Sequence, residues 1–173
     1  MPQVETSDAL AAFQRYTQAF QALDAASVAQ HFHEPAFFIT PGEVLSLPTL
    51  EAVERTYARI MADMPRDYVR TDFGPLSERR LSDDLAMVRG SGVWKNAANE
   101  DLMPFGMTYM LRRTDQTWRI VVAAIHASGT WTGRRLSAGF AGRGNFAKVW
   151  TADLNWRAGP PGVPALETAC ASS

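Results

Sequence analysis

The spacing of apolar residues changes at Pro65, and this change constrains the fold more than any other feature of the sequence. Before Pro65, apolar side chains recur every three or four residues, a period typical of amphipathic helices. After it, apolar and polar residues alternate over long runs, as they do in half-buried strands. Helices first and strands after predict an α+β domain, in which the helices pack on one face of the sheet.

Three helices are predicted before the change of period. The first begins near Thr6-Ser7-Asp8, which offers capping oxygens, and its apolar stripe consists of Leu10, Phe13, Tyr16, Phe20 and Leu23. Asp24 ends it and can cap a short second helix that includes Phe32. Glu34-Pro35 stops this second helix, because the residue before proline is pushed out of the α region. The third helix runs from about residue 49 to 64, after two short strands at 36–40 and 43–47.

Four long strands are predicted after Pro65, at residues 68–76, 84–95, 102–113 and 118–126. Short turns join them, and neighbouring strands joined by short turns form an antiparallel meander. The charged run Glu78-Arg79-Arg80 falls between two of the predicted strands, so we expect it at a strand end or a turn.

Residues 129–173 differ from the rest of the chain. They hold seven of the twelve glycines and three of the five tryptophans, and neither apolar period lasts there. We therefore expect one domain at residues 1–128. The glycine-, proline- and tryptophan-containing extension at 129–173 is expected to be loosely ordered or packed across that domain.

Composition excludes several classes of partner. The net charge of −1 gives no long-range attraction to nucleic acid or to an anionic membrane. No apolar run approaches the roughly 18 residues that span a bilayer. With one cysteine and no signal-like N-terminus, the expected location is the cytoplasm. His31 and His33 diverge at a helix end and no nucleotide-binding motif is present, so we expect neither a metal ion nor an organic cofactor.

Several segments together resemble the nuclear transport factor 2-like superfamily. They are the helix end His31-Phe32-His33-Glu34-Pro35, the turn Pro41-Gly42, the runs LSDDLA and FGMTYMLRRTDQTWRI, and the ending AAIH. The resemblance covers about residues 7–128 and is to the SnoaL-like and ketosteroid isomerase-like group, closest to bacterial members. It implies a cone-shaped, cystatin-like fold in which three N-terminal helices wrap a curved antiparallel sheet around an apolar, ligand-sized hollow. It also implies a homodimer formed through the convex face of the sheet.

The match to ketosteroid isomerase is partial. By resemblance, Tyr16 corresponds to the oxyanion-hole tyrosine and Tyr57 to the tyrosine that hydrogen-bonds it. Thr40 stands where the isomerase has its general-base aspartate, and Met107 lies near the position of its protonated aspartic acid. A threonine cannot take an α-proton near neutral pH and a methionine cannot donate a hydrogen bond, so that route of steroid isomerisation is not expected.

The predicted catalytic residues are His126, Tyr16 and Tyr57. His126 shares the alternation of the apolar residues in the last strand, so it is expected to point into the hollow and to move a proton. Tyr16, supported by Tyr57, would bind a developing oxyanion. The alternative is structural: the tyrosines bond to each other within the core, and the histidine ties the strand end to the tail.

Six further residues are predicted to contact a ligand, with Gly90 and Gly92 leaving space on the sheet above them: Phe20, Thr40, Trp94, Phe105, Met107 and Tyr109. The same residues could simply fill the core.

The predicted function is the binding of a small hydrophobic molecule, and the enzymatic form of this prediction is proton-transfer chemistry of the isomerase, cyclase or dehydratase type. The first alternative is a non-catalytic dimeric binding or scaffold module. A weaker one is epoxide hydrolase-like chemistry at Arg70 and Asp72, although Val69, Thr71 and Phe73 are the expected inward residues of that strand.

Overall fold

The computed structural model describes residues 7–127. The helices are α1 (Asp8–Gln21), α2 (Ala25–Ala29) and α3 (Leu50–Ala62). The strands are β1 (Phe32–Ile39), β2 (Val44–Leu47), β3 (Tyr68–Phe73), β4 (Ser77–Ser82), β5 (Leu85–Asn96), β6 (Asp101–Thr114) and β7 (Thr117–His126). The α+β class and the change of period at Pro65 are confirmed. The extension expected at 129–173 lies outside the described residues.

Side-chain caps set where the helices begin. Ser7, Asp24 and Thr49 each precede a helix, and the side-chain oxygen of each accepts a hydrogen bond from the backbone N–H three residues later. Leu23, expected on the stripe of α1, lies beyond the helix end with a φ of 54° and is exposed. The apolar stripe therefore ends at Phe20.

The seven strands form one curved sheet that does not close on itself. The strand order is β2-β1-β7-β6-β5-β3, and β4 also pairs with β5. The meander from β5 to β7 is antiparallel as predicted, but β1 lies parallel to β7, so the sheet is mixed rather than wholly antiparallel. We call the face that the helices cover the inner face and the opposite one the outer face.

Phe32 belongs to β1 and not to the second helix, which corrects the expected boundary. The carbonyl of His31 accepts a hydrogen bond from the N–H of Ile120 at 2.9 Å, and Phe32 is the register partner of the same residue. This pairing draws the chain out of the helix before Pro35. The register between β1 and β7 shifts between Phe32 and Phe37. Pro35, which has no N–H to donate, lies within this irregular stretch of the pairing.

The charged run at 78–80 lies within β4, a strand that we did not predict. Gly74 to Leu76 interrupt the single strand expected at 68–76, and β4 then pairs with the first half of β5 while β3 pairs with the second half. β4 and β3 thus lie end to end along one edge of the sheet. Exposed charges in β4 follow from this edge position, since charged side chains hinder pairing with another chain.

A β-bulge near Val121 reverses the alternation of side chains at the end of β7. Leu111 of β6 pairs with Ile120 and Met110 pairs with Val122, so one residue of β7 is left over. Beyond it, Ala123 and Ile125 are buried on the inner face, whereas His126 is exposed on the outer face. The expected inward orientation of His126 is therefore wrong.

The space over the two strand glycines is filled. A Cβ atom on Gly92 would lie 2.5 Å from Cζ of Phe105, and one on Gly90 would lie 2.7 Å from Cδ2 of Leu76 and 3.0 Å from Cε of Met107. Larger side chains thus use the room that the glycines leave on the inner face. The glycines help to close the hollow rather than to enlarge it.

Gly92→Ala should destabilise the domain, because the new methyl group meets a buried ring that cannot leave the core. We expect a loss of about 1–3 kcal/mol in the free energy of unfolding, the usual cost of overpacking, measured by urea denaturation. The matched control is Gly106→Ala, whose Cβ would meet the imidazole of His126. That ring is exposed and can turn into solvent, so the control should lose clearly less. Equal losses would contradict this account of the packing.

Candidate functional site

An apolar cavity lies between the inner face of the sheet and helices α1 and α3. Its volume is about 30 Å³, and since one water needs roughly 10–15 Å³ by the same measure, it has room for about two. The ligand-sized hollow that we expected is therefore much reduced. The lining residues are Tyr16, Phe20, Phe38, Tyr57, Phe73, Trp94, Phe105, Met107, Tyr109 and Ile125. Of these, only Phe73 is not buried, which puts the side nearest to solvent at β3.

Three tyrosines from three elements meet in this cavity. The Tyr16 hydroxyl of α1 lies 3.0 Å from that of Tyr57 in α3 and 2.8 Å from that of Tyr109 in β6. All three side chains are buried, and Phe13 and Phe32 pack on their rings. Sequence reasoning found Tyr16 and Tyr57 on their helical stripes but treated Tyr109 only as an apolar contact.

The three hydroxyl groups have more donors than they use among themselves. Each tyrosine has one O–H donor, and the two hydrogen bonds centred on Tyr16 consume two of the three protons. Whichever way the two bonds are oriented, they leave one proton unused, and among the three hydroxyls only the contact between Tyr57 and Tyr109 competes for it. The cluster can therefore donate one hydrogen bond to an oxygen or nitrogen atom placed in the cavity.

Burial keeps these hydroxyls neutral. Desolvation is the main reason that the pKa values of Tyr16, Tyr57 and Tyr109 lie well above the ordinary tyrosine value, and the proximity of the other phenols adds to it. Neutral phenols donate hydrogen bonds but do not take protons from carbon at physiological pH. The ten lining residues include no carboxylate, histidine, lysine or cysteine, so the cavity offers no general base.

Trp94 supplies a second donor. Its indole is 1% exposed and lines the cavity, and its Nε1–H has no hydrogen-bond partner among the residues that the structure describes. A buried N–H without a partner costs free energy. The residues of the cavity wall thus carry buried donors of two kinds, phenol and indole, among apolar side chains.

Seven of the nine predicted site residues line the cavity: Tyr16, Phe20, Tyr57, Trp94, Phe105, Met107 and Tyr109. Thr40 does not. It closes the turn after β1, where its N–H donates to the carbonyl of Glu43 at 2.9 Å. The resemblance to ketosteroid isomerase suggested a pocket residue, but Thr40 lies at the strand end.

His126 is the other residue that the cavity does not include. Its ring lies over Gly106 on the outer face, and Nδ1 is 3.0 Å from the carbonyl oxygen of Ala127. The bulge near Val121 places Ile125 in the cavity instead. Proton transfer by His126 to a ligand beside Tyr16 therefore has no geometric support.

Arg70 and Asp72, the basis of the epoxide hydrolase alternative, also lie away from the cavity. The guanidinium Nε and the carboxylate Oδ1 are 2.8 Å apart on the partly exposed outer side of β3. Thr71 and Phe73 point inward as expected, whereas Val69 is exposed. The epoxide hydrolase hypothesis thus loses its site.

Sequence reasoning missed three lining residues, Phe38, Phe73 and Ile125. Phe38 and Phe73 alternate correctly within their strands and could have been included. Ile125 could not, since only the bulge in β7 turns it inward.

No group of three or more histidine, cysteine, aspartate or glutamate residues within 7–127 is placed to hold a metal ion. Among the helices of the same range, none combines the length and apolarity that crossing a membrane requires.

Solved structures with a similar fold come from several bacteria. A protein of unknown function with a cystatin-like fold from Nostoc punctiforme is 9% identical, with a TM-score of 0.62 over 78% of this chain and 98% of that one. A protein of unknown function from Mycobacterium tuberculosis is 20% identical, with a TM-score of 0.57 over 76% of each chain.

A putative dehydratase of the NTF2-like family from Streptomyces avermitilis is 17% identical, with a TM-score of 0.58 over 75% of this chain and 100% of that one. At these identities the likeness shows the fold alone. The sequence matches no curated protein. A family model described as "NTF2-like protein (DUF6841)" matches residues 7–128. The chain belongs to this NTF2-like family.

Proposed function

We propose that the protein binds a compact, largely apolar molecule that carries a hydrogen-bond-accepting oxygen, such as a ketone. The observation that carries the proposal is the unused proton of the tyrosine cluster Tyr16–Tyr57–Tyr109 inside an otherwise apolar cavity. A buried donor gains a hydrogen bond from an acceptor ligand, whereas a hydrocarbon leaves it without a partner.

The chemistry of the wall supports binding rather than proton transfer. The donors are the tyrosine cluster and the N–H of Trp94, and no lining side chain is a base near neutral pH. A carbonyl held by a neutral phenol would be polarised, but nothing beside it would remove an α-proton.

The size of the cavity limits the ligand. A volume of about 30 Å³ suits a very small molecule directly. A six-membered ring would need side chains to move, and Met107 is the lining residue with the most adaptable shape. A steroid-sized ligand would require much of the aromatic wall to rearrange.

Replacing all three hydroxyls should remove the preference for an oxygen acceptor. The ratio of the affinity for acetone to that for 2-methylpropene, which has the same shape and no acceptor, should be about 2–10-fold higher in the wild type than in the variant Tyr16→Phe/Tyr57→Phe/Tyr109→Phe, because one neutral hydrogen bond contributes about 0.5–1.5 kcal/mol. Comparing the two ratios cancels the different hydration of the two molecules. Dissociation constants from ligand-observed NMR measure this.

The triple variant is the informative one, since Tyr57→Phe or Tyr109→Phe alone would still leave one unused proton. The control is Tyr68→Phe, whose hydroxyl bonds Thr71 and which should keep the preference. If neither molecule binds the wild type at millimolar concentration, the binding proposal is wrong. If the triple variant keeps the preference, the tyrosines are not its source.

The neutral state of the cluster predicts a loss of stability at high pH. The unfolded chain releases tyrosine protons near pH 10, while the folded protein, whose pKa values are raised, retains them. The free energy of unfolding should be unaffected below that pH and fall above it, by about 1.4 kcal/mol per pH unit for each such tyrosine. Tyr57→Phe removes one group and should reduce the slope by about that amount. Urea denaturation from about pH 8.5 to 11.5 tests this, and an unchanged slope would contradict it.

A dimeric module is the second candidate, because the outer face carries an apolar patch that no other residue of the described range 7–127 covers. The patch consists of Phe37 and Ile39 of β1, Val44 of β2, and Val122 and Ala124 of β7, which are register neighbours. Phe37 is 42% and Val44 64% exposed. Contiguous apolar surface of this kind marks association sites. We infer that two copies pair through it.

Phe37→Asp should dissociate the pair, because it would bury a charge between two apolar surfaces. Sedimentation velocity at micromolar concentration should show a dimer for the wild type and a monomer for the variant. Leu23→Asp is the matched control, since Leu23 is 46% exposed at the end of α1 and should stay dimeric. A monomeric wild type would exclude this interface.

A further inference from the structure

Four exposed arginines form a cluster at one end of the outer face. Arg79 lies on β4, Arg89 on β5, Arg112 on β6 and Arg119 on β7. All four are exposed, and the register places Met87 and Met110 side by side between them. With strands about 4.8 Å apart, the arginine cluster spans roughly 14 Å across four strands.

No acidic side chain within residues 7–127 pairs with the arginine cluster. Five other cations of that range form ion pairs: Arg55, Arg70, Arg80, Lys95 and Arg113. Asp72, the carboxylate on the outer side of β3, is engaged by Arg70. Among the described residues the cluster is thus an uncompensated positive surface.

The arrangement costs stability. Arg112 and Arg119 are direct cross-strand partners on the same face, and like charges in that position repel each other. The overall charge does not explain the cluster, since residues 7–127 carry twelve basic and fifteen acidic side chains, a net charge of −3. Repulsion concentrated at one place in an otherwise acidic domain is relieved when an anion binds there.

We propose that the arginine cluster binds an acidic polypeptide segment that also carries apolar side chains. Guanidinium groups pair with carboxylates through two parallel hydrogen bonds. The partly exposed Met87 and Met110 provide adaptable apolar surface between them. The cluster includes no aromatic side chain on which bases could stack, and its methionines offer contacts to apolar side chains, so a polypeptide fits better than a nucleic acid.

The surface is separate from the cavity described under the proposed function, and it borders the apolar patch, because Met110 is the register partner of Val122. The arginines point away from the tyrosine cluster, because successive residues of a strand point to opposite faces. The apolar patch around Phe37 lies at the β1–β2 side of the sheet, and the cluster extends to the β4 edge. A failure of this proposal would therefore leave the ligand-binding proposal untouched.

A fluorescein-labelled peptide of twelve residues, four repeats of Glu-Glu-Leu, is the probe, and anisotropy at about 150 mM salt is the measurement. Arg112→Gln/Arg119→Gln should weaken binding by at least about tenfold. The matched control is Arg59→Gln/Arg66→Gln, which removes the same charge from exposed arginines that form no ion pair within residues 7–127. It should change binding less than about twofold.

Three outcomes would overturn the proposal. One is no binding of the peptide up to millimolar concentration, and another is equal weakening in both double variants. The third is tighter binding of a twelve-residue oligothymidine or of phosphatidylserine vesicles than of the peptide.

Thermal stability gives an independent readout. If Arg112 and Arg119 repel each other in the free protein, Arg119→Gln should raise the unfolding temperature by about 1–4 °C while weakening peptide binding. A lowered unfolding temperature would show that the arginine supports the fold, and it would remove the argument for a partner.

Discussion

The hydroxyl group of Tyr16 ties together the three elements on which the inner face depends. It bonds to Tyr57 in α3 and to Tyr109 in β6, so α1 is fixed against both the other long helix and the sheet. A hydroxyl buried without a partner costs roughly 1–3 kcal/mol. Each of the three hydroxyls finds a hydrogen-bond partner within the cluster. This avoids the cost of burial only when the helices and the sheet have this relative position. Apolar packing alone would hold the layers together without specifying that position so narrowly.

What the sequence predicted correctly depends on local chemistry. The cap at Asp24 and the start of α1 near Ser7 need only the next few residues, and the stripes that placed Tyr16 and Tyr57 in the core follow from helical geometry. The residues of β5 and β6 that line the cavity were found in the same way, from alternation within regular strands. Resemblance identified the NTF2-like fold, and the family model over residues 7–128 confirms it.

The features that were predicted wrongly from the sequence depend on neighbouring strands. Only the pairing of β7 with β6 leaves Val121 unmatched and turns His126 away from the cavity. Only the parallel pairing with β7 explains why Phe32 belongs to β1 rather than to the second helix, and why β1 continues through Pro35. The size of the cavity also depends on contacts between strands. In the sequence Gly92 suggests empty space on the sheet, but in the structure the ring of Phe105 fills that space.

The alternation of β6 separates two kinds of chemistry on one strand. Tyr109 and Met107 face a dry cavity with neutral donors, whereas Met110 and Arg112 face water and a dense positive charge. Because successive side chains of a strand point to opposite faces, adjacent residues can suit a buried and an exposed environment without a change in the backbone. Screening by water and ions weakens the influence of the arginines on the phenols. Residues of the outer face can thus change without altering the chemistry of the inner face, as long as the bulge keeps β7 in register.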